Sequence, residues 1–190
     1  ALAFCGPNDV VINRQATFDG EVQACGGRVL VSSRNDASPG MPQISALRLN
    51  GGTFQNGSSG AETDCPYDDM INPSAVLIFG GARGSGDYVQ PCGPVDNAHR
   101  QHFAALQVNT GKGRIGTTSD STGEGRRAEV RASGFGREPG GLLYVSDSAL
   151  ASMGIRSGAA NLFGVSGPVL AGVFANYSDF VTVNEDGDWI

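Results

Sequence analysis

The sequence predicts an all-β domain, built as a sandwich or as a solenoid-like stack with Gly-rich turns and at most two short helices. Three observations carry that prediction. Apolar residues alternate with polar ones or come in runs of a few residues, clusters of Gly, Asn, Asp, Ser and Pro separate those runs, and no long stretch keeps a helical period. Of 190 residues, 29 are Gly and 9 are Pro, with no Gly-x-y period and ample Val, Leu, Ile and Phe, which excludes collagen and a disordered polymer. The length suits a single β-rich domain over 1–190 with a core of its own.

The strand signals follow in order. They begin at Val10-Val11-Ile12, Val29-Leu30-Val31, Ala46-Leu47-Arg48-Leu49 and Val76-Leu77-Ile78-Phe79. They continue at Ala128-Glu129-Val130, Leu142-Leu143-Tyr144-Val145, Val169-Leu170-Ala171-Gly172-Val173-Phe174 and Phe180-Val181-Thr182-Val183. Between them Asn50-Gly51-Gly52, Gly80-Gly81 and Gly111-Lys112-Gly113 supply the positive-φ positions of tight turns. Helices are expected over 97–106, with Asn97 as N-cap, and over 146–153, with Asp147 as cap. The turn-rich stretch 111–125 has little apolar surface to bury and marks a soft boundary, either a linker or one exposed loop. In Arg127-Ala128-Glu129-Val130-Arg131 the alternation sets charges on one strand face, as a solvated edge strand would, with an acidic-ligand patch as the alternative. Toward the C-terminus, short strands between Gly corners would stack as solenoid rungs or fold as sandwich hairpins; no strict repeat length emerges, so the solenoid is the lesser expectation.

Four cysteines allow three pairings, and their positions favour the sequence-local bridges Cys5–Cys25 and Cys65–Cys92, hence an oxidising, extracellular setting. Neither C-x-x-C pairs nor Cys beside His occur, so no zinc is expected. No apolar run approaches 20 residues and no signal peptide is visible, so the chain reads as a trimmed ectodomain that does not itself insert into a bilayer. The 13 basic residues are outnumbered by 19 acidic ones and form no dense run, which argues against a nucleic-acid partner. Asn56-Gly57-Ser58 and Asn176-Tyr177-Ser178 would accept glycans only in a eukaryotic secretory pathway.

Few residues offer chemistry. His99 and His102 would share a face of the expected helix, as metal ligands can, but no H-E-x-x-H pattern accompanies them, so they are expected at the surface or a cap. The sharpest catalytic option is Ser166 in Gly164-Val165-Ser166-Gly167, which is similar to the nucleophile loop of chymotrypsin-like serine proteases, with His99 as base and Asp120 as orienting acid. Val165 stands where that family carries Asp. Asp64, Asp68 and Asp69 form a carboxylate cluster of the kind a glycosidase needs, and Asn184, Asp186 and Asp188 alternate like calcium ligands without the distal Glu of an EF-hand. Trp189 is the lone Trp and gives slight support to a glycan-binding module, while Phe79, Phe103, Phe135, Phe163, Phe174 and Phe180 are expected to fill core.

Two stretches resemble bacterial type IV pilus-associated, minor-pilin-like surface proteins: the Ser121-Thr122-Gly123 turn leading through 124–132 into an Arg-bearing strand, and the short strands over 169–176 and 180–184. The hydrophobic N-terminal helix of that family has no counterpart here. The resemblance implies an extracellular appendage or adhesion role, and it transfers no active-site residue. The expectation is therefore a secreted or cell-surface, non-catalytic subunit that presents surface to another copy or to another surface protein. A serine hydrolase and a glycan binder are the alternatives.

Overall fold

The computed structural model describes residues 1–31, 40–57, 69–90, 93–94, 99–117, 126–146, 153–157, 169–175 and 179–182. The chain winds as a parallel β-solenoid. Successive coils supply β1 (Leu2–Phe4) and β2 (Val10–Ile12), then β3 (Glu21–Ala24) and β4 (Arg28–Val31), then β5 (Ala46–Leu49) and β6 (Thr53–Asn56). From there the coils lengthen: β7 (Val76–Phe79), β8 (Asp87–Gln90), the short β9 (Gly93–Pro94) and β10 (His99–Phe103), followed by β11 (Ala105–Val108), β12 (Gly111–Thr117) and β13 (Arg126–Ala132). The last strands are β14 (Phe135–Arg137), β15 (Gly141–Val145), β16 (Met153–Ser157), β17 (Val169–Ala175) and β18 (Asp179–Thr182).

Stacking gives three sheets. The first runs β1-β3-β5-β7-β11-β14, the second β2-β4-β6-β8-β12-β15-β17-β18, and the third β10-β13-β16, with β9 joined antiparallel to β13. All other pairings between strands are parallel except β17 with β18, which closes the second sheet antiparallel. Register aligns like with like along the axis. Val22, Leu47, Leu77 and Leu106 form one buried row of the first sheet, and Val29, Phe54, Tyr88, Ile115 and Val145 one of the second. Each coil is too thin to bury its own apolar face and completes its core against the coils above and below.

The glycine clusters of the sequence sit at the corners between the first and second sheets. There the coils stack backbone on backbone: a Cβ at Gly86 would fall on the Gly52 carbonyl oxygen, so that corner admits only Gly.

Among the described residues there is no helix. The helix expected over 97–106 is β10 and the start of β11, because His99, Gln101 and Phe103 face inward while Arg100 and His102 face outward, a period of two. Of the helix expected over 146–153, Met153 opens β16 and residues 147–152 fall outside the described part. The stretch expected as a linker or loop from Gly111 is ordered through Thr117 as β12, hydrogen-bonded to β8 and β15, while 118–125 lie outside the described residues. Nor is 127–131 an edge: β13 is the middle strand of the third sheet, with Ala128 and Val130 buried in the core.

Candidate functional site

The outer face of the third sheet brings charged and titratable side chains of β10 and β13 together. Alternation along β10 and β13 sends Arg100, His102, Glu129 and Arg131 outward, and parallel register sets Arg100 beside Glu129 and His102 beside Arg131. Glu129 accepts from Arg100 Nε at 2.7 Å and from Arg131 Nε and a terminal nitrogen at 2.9 and 2.6 Å. The two guanidinium stems cover it, leaving its side chain 6% exposed. Burial works against the ionised carboxylate, but hydrogen bonds from Arg131 and Arg100 and their charges outweigh it, so Glu129 titrates below the ordinary carboxylate range.

Beside this triad stands a carboxylate–imidazole pair. Asp69 accepts from the His102 backbone N–H at 2.7 Å, and its two oxygens lie 2.8 and 2.9 Å from His102 Nδ1. In the neutral ring with Nδ1 donating, the lone pair sits on Nε2. Asp69 holds a left-handed φ of 57°, the sole non-glycine to do so among the described residues, and its own N–H donates to the Arg100 carbonyl. That turn aims the carboxylate at the ring.

His99, the base expected from the sequence, faces the interior and is buried, so it is not on the same surface as His102. Strand geometry separates the two rings because an odd spacing on a strand changes faces. The shared helix face that a metal would need is therefore absent, and no group of three or more His, Cys, Asp or Glu that could hold a metal ion occurs among the described residues. Ser166, Asp120, Asp64, Asp68, Cys65, Cys92, Asn184, Asp186, Asp188 and Trp189 lie outside the described residues.

Behind the charged face runs a buried polar cluster. Asn56 Nδ2 lies 3.2 Å from both Gln90 Oε1 and Gln101 Oε1 and 3.3 Å from the Tyr88 hydroxyl, which itself donates to Gln90 at 2.7 Å. Gln101 also bridges the Ile71 N–H and carbonyl, at 3.0 and 2.9 Å, tying the third coil to β10 where isolated bridges continue the third face. Burial raises the Tyr88 phenol far above its usual value, the Asn56 hydrogen bond offsets this in part, and the Asp69 charge adds to it. Enclosed here, Asn56 is no glycan acceptor in the folded chain.

The other distinctive surface is the first coil. Among the described residues β1 pairs with β3 alone and β2 with β4 alone. Their sequences, Leu2-Ala3-Phe4 and Val10-Val11-Ile12, contain no charge. Leu2 and Val11, 41% and 55% exposed, are the exposed large hydrophobics among the described residues. The strands at the opposite sheet ends each contain a charged residue: Arg137 in β14, Arg156 in β16 and Asp179 in β18. A disulfide joins Cys5 to Cys25, as the local pairing anticipated, and fastens the first coil to the second just beyond β1 and β3. The Cys25 N–H also donates to the Phe4 carbonyl. No helix among the described residues is long and apolar enough to cross a membrane.

No protein-family model, curated protein or solved structure matches this chain.

Sequence reasoning missed the Asp69–His102 pair, the buried Glu129, the Asn56–Gln90–Gln101 cluster and the open first coil. A partial signal existed for the first: strict alternation through His99-Arg100-Gln101-His102-Phe103 is a strand pattern, and as a strand it turns His102 to the face opposite His99.

Proposed function

We propose that this protein is a secreted or cell-surface structural or adhesive subunit, part of an appendage, shell or attachment layer, that works by presenting rigid surface. One observation carries the reading: the strands at one end of the solenoid are uncharged, apolar and fastened by a disulfide, while those at the other end contain charges. Edge strands of soluble proteins ordinarily carry charge or Pro to prevent pairing, so an ungated edge on a rigid coil favours a pairing role. The disulfide supports an oxidising location, and the appendage role implied by the pilin-like resemblance belongs to the same proposal. The test is assembly. Purified protein incorporates into complexes or binds a surface, and Val11→Lys removes that behaviour while circular dichroism stays unchanged. Attachment unaffected by charges on the first coil, from a folded variant, contradicts the reading.

A hydrolytic reading has one observation in its favour, the Asp69–His102 pair, which moves the base from His99 to His102. Fluorophosphonate labelling that is lost in both His102→Ala and Ser166→Ala would establish it. Absence of labelling in the folded wild type would remove it.

A further inference from the structure

The outer face of the third sheet concentrates arginine on a chain that is acidic as a whole. We infer that this face binds a carboxylate-bearing polysaccharide, a polyuronate laid across β10, β13 and β16. The inference concerns a different face from the first coil and stands independently of the assembly reading above.

Register concentrates the positive charge. His102, Arg131 and Arg156 occupy one row across three parallel strands, and Arg100 and Glu129 occupy the row two residues earlier. Arg127 stands two residues before Glu129 on β13. With Asp69, which holds the His102 ring, the face sets the four positions Arg100, Arg127, Arg131 and Arg156 against the two carboxylates Glu129 and Asp69. The whole chain has the opposite balance, 13 basic residues to 19 acidic ones and a net charge of -6. Its overall field repels polyanions, so a local excess of guanidinium groups selects where one can bind.

The cationic heads are within reach of a ligand. The side chains of Arg100, Arg131 and His102 are 42%, 34% and 36% exposed, whereas Glu129 between them is buried. An incoming polymer therefore meets guanidinium and imidazole before it meets the internal carboxylate. Glu129 also shows which group these donors accommodate, since two guanidinium groups hold its carboxylate at 2.6 to 2.9 Å. Planar guanidinium matches planar carboxylate, and a point-charge ammonium does so less well.

Geometry selects the polymer. Neighbouring strands stand about 4.8 Å apart, so the His102, Arg131 and Arg156 positions step evenly along the solenoid axis. An extended acidic peptide turns a side chain to one side only every second residue, about 6.8 Å, out of step with that row. Single-stranded nucleic acid stacks its bases on aromatic platforms, and positions 100, 102, 127, 129 and 131 hold no Phe, Tyr or Trp. A polyuronate needs neither an edge nor a platform. It is a stiff chain with one carboxylate per sugar ring and lies flat on a flat sheet.

The experiment is isothermal titration of the disulfide-intact protein with polygalacturonate, beside dextran, polyglutamate and single-stranded DNA. The expected result is binding to polygalacturonate that weakens as salt is added, none to dextran, and at least tenfold weaker binding to the other two polyanions. Arg131→Gln and Arg156→Gln, each checked by circular dichroism, should weaken polygalacturonate binding at least fivefold, and if one fails to fold the other is read. Lys112→Gln removes a cation from the second sheet and should leave the affinity within twofold. No binding to polygalacturonate overturns the inference, as does equal binding to polyglutamate or DNA. A loss in Lys112→Gln as large as that in Arg131→Gln overturns it too, because the charge of the whole chain and not this face would then be responsible. Val11→Lys separates the two readings, since it should abolish attachment and leave polygalacturonate affinity unchanged.

Discussion

The strands at the two ends of the described stack differ in charge. Every stacked sheet must stop somewhere, and its last strand leaves a row of unpaired N–H and C=O groups. At the far end the final strands contain Arg137, Arg156 or Asp179, and the second sheet turns back on itself through β18. At the near end β1 and β2 are short, uncharged and exposed at Leu2 and Val11, yet a disulfide prevents the coil from fraying. Among the described residues the last strands at one end carry charge and those at the other do not. Energetically the middle differs from both, because each of its residues is covered from two sides.

That contrast orders the predictions. The largest effect belongs to the middle: Leu77→Ala, buried in register between Leu47 and Leu106, should cost about 3 kcal/mol, whereas Leu2→Ala at the open end should cost less than about 0.5 kcal/mol. Urea unfolding of the two variants checks this, and equal losses would mean that the stack is not cooperative in its middle.

Next comes the charged face. Replacing both Arg100 and Arg131 by Met removes two charged partners from the buried Glu129 carboxylate, and should cost about 3 kcal/mol. Glu129→Gln takes the charge from a site whose two arginines are half-exposed and within reach of water, and should cost nearer to about 1 kcal/mol. The sign of the pH dependence follows from Glu129 titrating below its ordinary range in the folded chain. Its contribution is complete above the unfolded carboxylate value of about 4.3 and is lost as the pH falls through the lower folded value. Acid titration of stability in wild type and Glu129→Gln should therefore converge below that point.

Reducing the disulfide acts on the near end alone. Its 20-residue separation corresponds to about 3 kcal/mol of loop-closure entropy, expressed as fraying of the first coil while β5 and beyond stay intact. Hydrogen exchange before and after reduction should lose protection at β1 and β2 only. The smallest effect is Asp87→Asn. Burial raises the Asp87 carboxyl and the Arg114 charge only partly offsets it, so ionised Asp87 opposes folding at neutral pH. The amide should stabilise by about 0.5 kcal/mol at pH 7, and the gain should vanish below about pH 3.9, where the carboxyl is protonated in folded and unfolded chains alike.

Much of the architecture was legible in single residues. Alternation and glycine clusters located eight of the eighteen strands of the described residues and the corners at Gly52, Gly80 and Gly111, and proximity favoured Cys5–Cys25. The solenoid itself was obscured by its uneven coils. Residues in register along the first sheet, Leu2, Val22, Leu47, Leu77, Leu106 and Phe135, stand 20, 25, 30, 29 and 29 positions apart, so no fixed period exists to be found. The coils differ in their third side, which is a single bridge at Met41 and Ile71 but a full strand at β10 and β13. The candidate site was hidden for a related reason. Asn97 and the His99, His102 spacing mimic a capped helix, and only pairing with β13 selects the strand that parts the two histidines. Likewise Arg127 to Arg131 imitates an edge until neighbours on both sides bury Glu129. The open character of β1 and β2 depends on what pairs with them, which no local pattern specifies.

The proposed role requires that β1 and β2 take part in pairing between molecules and that the far strands do not. Amide hydrogen exchange of the disulfide-intact protein, followed residue by residue across a concentration series, tests it most directly. Protection should rise with concentration at Leu2–Phe4 and Val10–Ile12 and stay constant at β14, β16 and β18. Protection that grows at the far strands instead, or at neither end, would contradict it.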